Sequence, residues 1–168
     1  MFQWFFLQCF KARKEMKISV VIVNFNKRYL LEKCIASLKK AKYPREIEII
    51  VVDNGSNDGS IQYIAIKFKD IKFIQMGFNS GFCKANNVGI DYALKNGAQG
   101  VVILNNDTEV DSIFFSEIVK KIDLKKRIGM ISPRILLHKY PNIIDASGFL
   151  ITPDGLGKNL DAGMDSRS

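Results

Sequence analysis

The residues best suited to chemistry follow a short apolar run. Residues 101–104 (V-V-I-L) are short and β-branched enough for a strand that is buried on both faces, and Asn105, Asn106 and Asp107 come directly after them. In an open parallel α/β sheet, ligands bind beyond the carboxyl ends of the strands. Mg²⁺ needs only one or two protein carboxylates, because water and phosphate oxygens complete its coordination. Asp107 is therefore a candidate metal ligand, although all three residues are also typical of a simple turn.

Three earlier apolar runs end in the same way. The runs are residues 18–23, 47–52 and 71–74, and they lead to polar stretches at residues 24–26, 53–56 and 79–81. Helical spacing between them predicts right-handed βαβ units, whose parallel strands all end on one edge. Four such ends predict a lined pocket. The residue types suit a nucleoside diphosphate, because Asp53 can accept from a ribose hydroxyl or base imide and Asp107 can hold a metal on the diphosphate.

The pattern also predicts the elements that position these ends. Helices are expected from Tyr29 toward Pro44, over residues 61–68 after a cap at Asp58 or Ser60, over residues 82–96 with Gly97 as the stop, and after a cap at Asp111. A further strand is expected over residues 128–132, closed by Pro133. Residues 135–138, 143–146 and 149–152 have the pattern of short antiparallel strands.

Composition limits the class of protein. The 168 residues carry a net charge of +8, but the 25 basic residues are scattered and cluster at predicted helix ends, so a nucleic-acid surface is not expected. Cys9, Cys34 and Cys83 form no CxxC pair and have no histidine nearby, which indicates reduced thiols, a cytosolic setting and no zinc site. The glycine motifs of dinucleotide oxidoreductases and P-loop NTPases do not occur in the sequence.

Residues 1–16 form an aromatic and basic extension ahead of one predicted domain, residues 17–168. The first ten residues carry five aromatic side chains, but a helix needs about 20 apolar residues to cross a membrane. A peripheral contact with the membrane interface through residues 1–14 is one interpretation. The other is an upstream extension of a chain whose working part begins at Met16.

Four motifs together resemble a known family. They are V-V-I-V-N-F-N, V-V-D-N-G-S-N-D-G-S, N-S-G-F-C-K-A-N-N-V-G and L-N-N-D-T, in this order. From about Lys17 onward the chain resembles the inverting glycosyltransferases of family 2, and most closely the rhamnosyltransferase-like subgroup. The resemblance implies the GT-A fold, a Rossmann-like α/β fold with a mostly parallel sheet flanked by helices, here incomplete at the C-terminus. It also implies Mg²⁺ or Mn²⁺ and transfer of a sugar from a nucleoside-diphosphate donor to an acceptor hydroxyl.

The resemblance implies roles for individual residues. It places the metal-binding DxD motif at Asn105, Asn106 and Asp107, with Asn in place of the first Asp, and it implies that Asp53 contacts the nucleoside. The remaining donor-pocket positions that it implies are Phe25, Asn26, Asn79, Gly81, Asn86 and Asn87. Asn86 and Asn87 are equally compatible with solvated positions on a helix.

The general base is the part that this sequence does not supply. In the family it is an Asp in an acidic pair after the acceptor-side strands, whereas Asp145, Asp154 and Asp161 are single acidic residues in predicted turns, so the base is expected beyond Ser168. We therefore expect the donor-binding part of a transferase, acting at the cytoplasmic membrane face on a glycan or lipid-linked acceptor. The alternatives are a non-catalytic nucleotide-sugar-binding module and a nucleotidyltransferase, which would usually carry a Gly-rich basic loop after the first strand.

Overall fold

The computed structural model describes residues 16–122, 129–154 and 156–167. The chain divides into two compact units, one before and one after the boundary between Gly129 and Met130. The first unit contains the four predicted strand ends, and the second contains short antiparallel strands.

A four-stranded parallel sheet forms the centre of the first unit. Its strands are β1 (Ile18–Asn24), β2 (Ile47–Asp53), β3 (Ile71–Gln75) and β4 (Gly100–Asn105), and their spatial order is β3-β2-β1-β4. β1 and β2 are almost wholly buried, as expected for apolar runs in the middle of a parallel sheet. The predicted parallel α/β sheet is confirmed. Three of the strands end on the first residue of a predicted polar stretch: β1 at Asn24, β2 at Asp53 and β4 at Asn105.

Four helices in the described part of the chain connect and flank these strands. They are α1 (Arg28–Lys40), α2 (Ser60–Lys67), α3 (Phe82–Lys95) and α4 (Phe114–Lys121). α3 lies very close to the sheet, because a Cβ on Gly89 would overlap a methyl group of Val21 and come within 2.9 Å of one of Val52. A glycine in mid-helix therefore lets the backbone of α3 pack directly on β1 and β2.

The predicted helices are confirmed, but the predicted N-caps are wrong: the N-cap is Gly59 for α2 and Ile113 for α4, and neither of these residues makes a side-chain capping hydrogen bond. α3 is followed by Gly97, whose φ of +81° is a left-handed conformation that glycine adopts at low cost. Asp58 Oδ1 accepts a hydrogen bond from the backbone N–H of Ser60 (3.0 Å) where α2 begins. Asp111 Oδ1 accepts one from the N–H of Ile113 (2.9 Å), directly before α4.

The strand predicted over residues 128–132 is wrong for the part that the structure describes. Residues 129–134 belong to no strand, and Ile128 lies outside the described residues. Gly129 and Pro133 enclose only three residues, and proline has no N–H to donate to a neighbouring strand. An apolar run becomes a strand only where a partner strand completes its hydrogen bonds, and these residues have none within the described ranges.

The described residues of the second unit form two antiparallel pairs of strands. β5 (Ile135–Leu137) pairs with β6 (Tyr140–Ala146), and β7 (Phe149–Ile151) pairs with β8 (Gly157–Asn159). The predicted short antiparallel strands are confirmed, whereas the sequence pattern did not predict β8. A Cβ on Gly157 would overlap the exposed Phe149 ring, so a larger residue there would require that ring to move.

No helix within the described ranges combines the length and the apolar character needed to cross a bilayer. The predicted membrane contact through residues 1–14 lies outside the described residues.

Candidate functional site

The register of the sheet brings three polar strand ends to within one residue of the same level. Asn24 pairs with Asp53 of β2, and the preceding residue of β1, Val23, pairs with Asn105 of β4. Neighbouring strands lie about 4.8 Å apart, so the ends of β2 and β4 are separated by about 10 Å, with β1 between them. This is the separation that a ligand of nucleotide size can span.

A pocket of about 300 Å³ opens at this edge. It is lined by Val23, Phe25, Lys27, Asn54, Asn79, Phe82, Asn105, Asn106 and Asp107, so the loops after all four strands contribute to it. Five of the sequence-predicted positions lie in the lining: Phe25, Asn79, Asn105, Asn106 and Asp107. The other five, Asn26, Asp53, Gly81, Asn86 and Asn87, do not.

A buried amide joins the floor of the pocket to the elements behind it. The Asn24 side chain is fully buried, and its Nδ2 donates to the hydroxyls of Ser56 (3.1 Å) and Ser60 (3.0 Å). Its Oδ1 accepts a hydrogen bond from Nδ2 of Asn106 (2.9 Å). Asn106 is thereby held on the pocket wall, and β1, β4 and the start of α2 are tied together at one point.

Asn26 holds a loop and is absent from the pocket lining. Its φ of +52° is a left-handed conformation that asparagine tolerates better than most residues. Its backbone N–H donates to Ser56 Oγ (3.0 Å), and its Oδ1 accepts from the N–H of Asn57 (2.8 Å). Both bonds fasten the chain after β1 to the chain after β2.

Asn54 is a pocket residue that the sequence analysis does not identify. Its side chain is 3% exposed; Nδ2 donates to Asn79 Oδ1 (2.9 Å), while Oδ1 accepts from the N–H (2.8 Å) and hydroxyl (3.0 Å) of Ser80. It therefore positions the loop between β3 and α3. Its place directly after Asp53 at a buried strand end is the signal that could have identified it.

Gly55 lets the same two loops touch. Its φ is +86°, and a Cβ there would lie 2.7 and 2.8 Å from backbone atoms of Phe78 and 3.0 Å from the backbone nitrogen of Asn79. Backbone atoms cannot rotate out of the way as a side chain can. The contact thus requires glycine for both its conformation and its lack of a side chain.

Asp53 is the last residue of β2 and directly precedes the pocket residue Asn54. It is 5% exposed, and its Oδ2 accepts from the N–H of Ser56 (3.1 Å). Its Oδ1 is buried and has no hydrogen-bond partner among the residues that the structure describes. A buried acceptor without a donor is costly, so this oxygen is a candidate to receive a hydrogen bond from a ligand or a water molecule.

The start of α3 contains the remaining predicted positions. Gly81 has a φ of +84°, and its N–H donates to Asn79 Oδ1 (3.1 Å), so it shapes the turn before the helix. Asn86 is 5% exposed; its Nδ2 donates to the Phe82 carbonyl (3.0 Å), and its Oδ1 is buried without a partner among the described residues. Burial excludes the solvated alternative for Asn86, whereas Asn87 is half-buried.

Asp107 is exposed and is the one carboxylate in the described lining of the pocket. Within the described ranges, no three His, Cys, Asp or Glu side chains are grouped so that they could hold a metal together. Asp107 and the Asn105 amide nevertheless provide oxygen donors in an open position, and this set fits a hard divalent cation that takes most of its ligands from phosphate and water.

The Cys34 thiol lies beneath this motif. Its Sγ donates weakly to the Asn105 carbonyl (3.6 Å). Burial raises the pKa of the thiol to about 12, and the negative charges of Asp107 and Glu109 add to the increase. Cys34 therefore stays a neutral thiol and packs under the loop that carries Asp107.

Two glycosyltransferases of known role are similar to this chain in sequence. The low-salt glycan biosynthesis hexosyltransferase Agl10 of Haloferax volcanii is 33% identical over 120 residues, which are 71% of this chain and 36% of that protein. The GalNAc(5)-diNAcBac-PP-undecaprenol beta-1,3-glucosyltransferase of Campylobacter jejuni is 32% identical over 109 residues, 62% of this chain and 34% of that protein. The chain thus spans about a third of the length of these relatives.

Solved structures show the same fold. The crystal structure of S. aureus TarS in complex with UDP-GlcNAc has a TM-score of 0.55 at 28% identity and covers 62% of this chain and 30% of that chain. The mannosyltransferase PcManGT of Pyrobaculum calidifontis, solved with GDP-Man and Mn²⁺, has a TM-score of 0.53 at 21% identity. The match covers 65% of this chain and 33% of that chain. The predicted GT-A fold is confirmed for the part of it that the chain contains.

The family assignment comes from a match over most of the chain. Residues 19–136 match the family model of Glycosyl transferase family 2, and this range contains all four sequence motifs and every residue that lines the pocket. The protein belongs to glycosyl transferase family 2.

Proposed function

We propose that this chain is the donor-binding part of a glycosyltransferase that transfers a sugar from a nucleoside diphosphate to an acceptor hydroxyl with inversion. The observation that carries the proposal is the meeting of four polar strand ends in one pocket beside Asp107. The names of its relatives support a place in glycan synthesis, and the TarS structure contains UDP-GlcNAc. The chain spans about a third of the length of those relatives, so transferase activity of this chain is part of what we propose.

The nucleoside is proposed to bind at the β1 and β2 side of the pocket. Asp53 Oδ1 is the buried acceptor without a described partner, and it would receive a hydrogen bond from a base imide or ribose hydroxyl. Since that oxygen is covered, the loop after β2 must give way slightly for the contact to form. Phe25, at 43% exposure on the pocket wall, offers an aromatic face for the base.

The diphosphate is proposed to bind at the β4 side, where Asp107 and Asn105 would hold Mg²⁺ or Mn²⁺. A cation bound there would supply positive charge as the diphosphate departs. Asn106 would keep its loop in place through its bond to the buried Asn24 amide. Asn79 would form another part of the wall, held by Asn54, and Gly81 would shape the turn beside it through its bond to Asn79.

Deprotonation of the acceptor is assigned to none of the single acidic residues of the second unit. Asp154 accepts a hydrogen bond from Thr152 Oγ1 within its own turn, and Asp161 accepts one from Ser147 Oγ of the turn between β6 and β7, so both carboxylates already have a partner. We propose that the base lies outside the described residues, on the part of the catalytic domain that the longer relatives possess. The acceptor is proposed to be a glycan or a lipid-linked glycan at the cytoplasmic membrane face, as the undecaprenol-linked name of one relative suggests.

Calorimetry with UDP-GlcNAc and GDP-Man, with Mn²⁺ and then with EDTA, tests the proposal. We expect metal-dependent binding of at least one donor and its loss in Asp107→Asn. Asp91→Asn, which removes an exposed carboxylate from α3 outside the pocket lining, is the matched control and should bind as the wild type does. Equal affinity with and without metal in both wild type and Asp107→Asn would contradict the metal role. Donor hydrolysis or transfer by the same sample would separate an enzyme from the alternative, a binding module without catalysis.

A further inference from the structure

Among the described residues, the lining of the pocket contains one positive charge and one carboxylate. Of the described residues that line it, Asp107 is negative and Lys27 is positive, while the others are four asparagines, a valine and two phenylalanines. Lys27 follows β1 and Asp107 follows β4, which are adjacent strands in the sheet. The two charges therefore border the gap between neighbouring strand ends.

The Lys27 side chain is not needed to hold the fold. Its backbone carbonyl accepts a hydrogen bond from the N–H of Leu31 (2.9 Å) and so takes part in the first turn of α1. Its ammonium makes no hydrogen bond or ion pair with any residue in the described ranges. Other lysines of the first unit are paired, among them Lys39 with Asp70, Lys67 with Glu32 and Lys120 with Glu117. The side chain is exposed on the pocket wall, where it is free to contact a ligand.

The neighbouring basic residue, Arg28, contacts α2. The Arg28 guanidinium lies over the Tyr63 ring of α2, 5.2 Å from its centroid, and the Arg28 N–H donates to Asp58 Oδ2 (3.1 Å). Two adjacent basic residues thus have different surroundings: one packs against α2, and the other lines the pocket. In a general positive surface, both side chains would be expected to point into solvent without distinct surroundings.

We propose that Lys27 binds a phosphate group of the nucleoside-diphosphate donor and stabilises its negative charge during transfer; this inference rests on the function proposed above. A lysine ammonium is a compact charge with three donors on a flexible stem, which suits a phosphate whose exact position varies. It also offsets the repulsion between Asp107 and the diphosphate.

The transfer step shows where this charge is needed. The acceptor oxygen forms a bond to the anomeric carbon and passes its proton to a general base outside the described residues. The bond from that carbon to the phosphate oxygen breaks, and its electron pair stays on the oxygen. Lys27 takes no part in the proton transfer, and its interaction strengthens as negative charge grows on the leaving diphosphate.

The test compares ligands with and without phosphate. Binding of UDP, GDP, uridine and guanosine is measured by calorimetry with Mn²⁺ for the wild type, Lys27→Gln, Lys27→Arg and Lys40→Gln. Lys40 is the matched control, because it is an exposed lysine at the other end of α1, about 20 Å away for 13 residues at 1.5 Å each. We expect Lys27→Gln to lose about tenfold in diphosphate affinity, as for a hydrogen bond to a charged group, with nucleoside affinity unchanged. Lys27→Arg should retain most of the affinity, and Lys40→Gln all of it.

The outcomes separate this inference from the proposed function. If the wild type binds neither diphosphate, the proposed function and this inference both fail. If the wild type binds one of them and Lys27→Gln binds it as tightly, the inference about Lys27 fails while the function stands. An equal loss of nucleoside and diphosphate affinity would also overturn it, because that would indicate a disturbed pocket. In the wild type, added salt should weaken diphosphate binding more than it does in Lys27→Gln.

Discussion

The contact between the loops after β2 and β3 can be tested at Gly55. Replacing Gly55 by alanine places a Cβ 2.7 Å from the Phe78 carbonyl carbon and 2.8 Å from its Cα, while the backbone keeps a φ of +86°. Two costs arise, one from the left-handed conformation and one from the overlap. Gly59→Ala isolates the first cost, because Gly59 has a φ of +73° and a Cβ added to it would have nothing within 4 Å.

The magnitudes follow from these geometries. A left-handed conformation costs an alanine about 1–2 kcal/mol, and both variants incur it. Forcing an extra methyl group into a packed position costs about 1–3 kcal/mol more, and only Gly55→Ala incurs that. We therefore expect Gly55→Ala to be less stable than Gly59→Ala by about 2 kcal/mol. For a chain of this length, that difference corresponds to about 6 °C in melting temperature.

Urea unfolding followed by circular dichroism measures the free energy of unfolding of both variants. Nucleotide binding provides a second readout, because a shift of Phe78 also moves Asn79 on the pocket wall. Gly55→Ala should bind donors more weakly than Gly59→Ala at temperatures where both are folded. Equal stability of the two variants would refute the close approach of the loops, and equal donor binding would refute its link to the pocket.

Two further predictions concern buried polar groups. Asn54→Ala removes the hydrogen bonds that hold the loop after β3. We therefore expect the free energy of unfolding to fall by about 1–3 kcal/mol and hydrogen exchange at the Ser80 N–H to become faster. An unchanged exchange rate would contradict this role of Asn54. Cys34 has a folded-state pKa raised from 9.0 to about 12, so the stability due to its neutral thiol is complete below about pH 9 and is lost as the pH rises toward 12. Cys34→Ala should flatten that decline in urea midpoint, and alkylation at about pH 8 should modify the exposed Cys83 but reach Cys34 only after unfolding.

The strand ends of the first unit are predictable because their signal is local. Each apolar run is β-branched, has the length of a strand and stops at a polar residue, and the helical spacing between the runs requires parallel strands. Parallel strands share a carboxyl edge, so residues as distant in sequence as Asn24 and Asn106 are expected close together. Their side chains are in fact hydrogen-bonded at 2.9 Å.

Residues 128–132 show where a local signal stops being sufficient. Their apolar pattern resembles that of the confirmed strands, yet residues 129–132 form none. Strand formation depends on hydrogen bonds to a neighbour that is not encoded in the segment itself. The same dependence explains β8, where a glycine-containing segment with little strand propensity pairs with β7.

By itself, the sequence determined the order of the strands and helices, the edge at which the polar residues gather and the family. Only the tertiary structure decided which of those residues face the pocket. Asn26 is expected in the pocket but holds the loop after β2, whereas Asn54 and Lys27 are not expected there and line it. The reason is physical: strand periodicity comes from neighbours in the chain, whereas the direction of a loop side chain depends on its backbone angles and on loops that come from distant parts of the sequence.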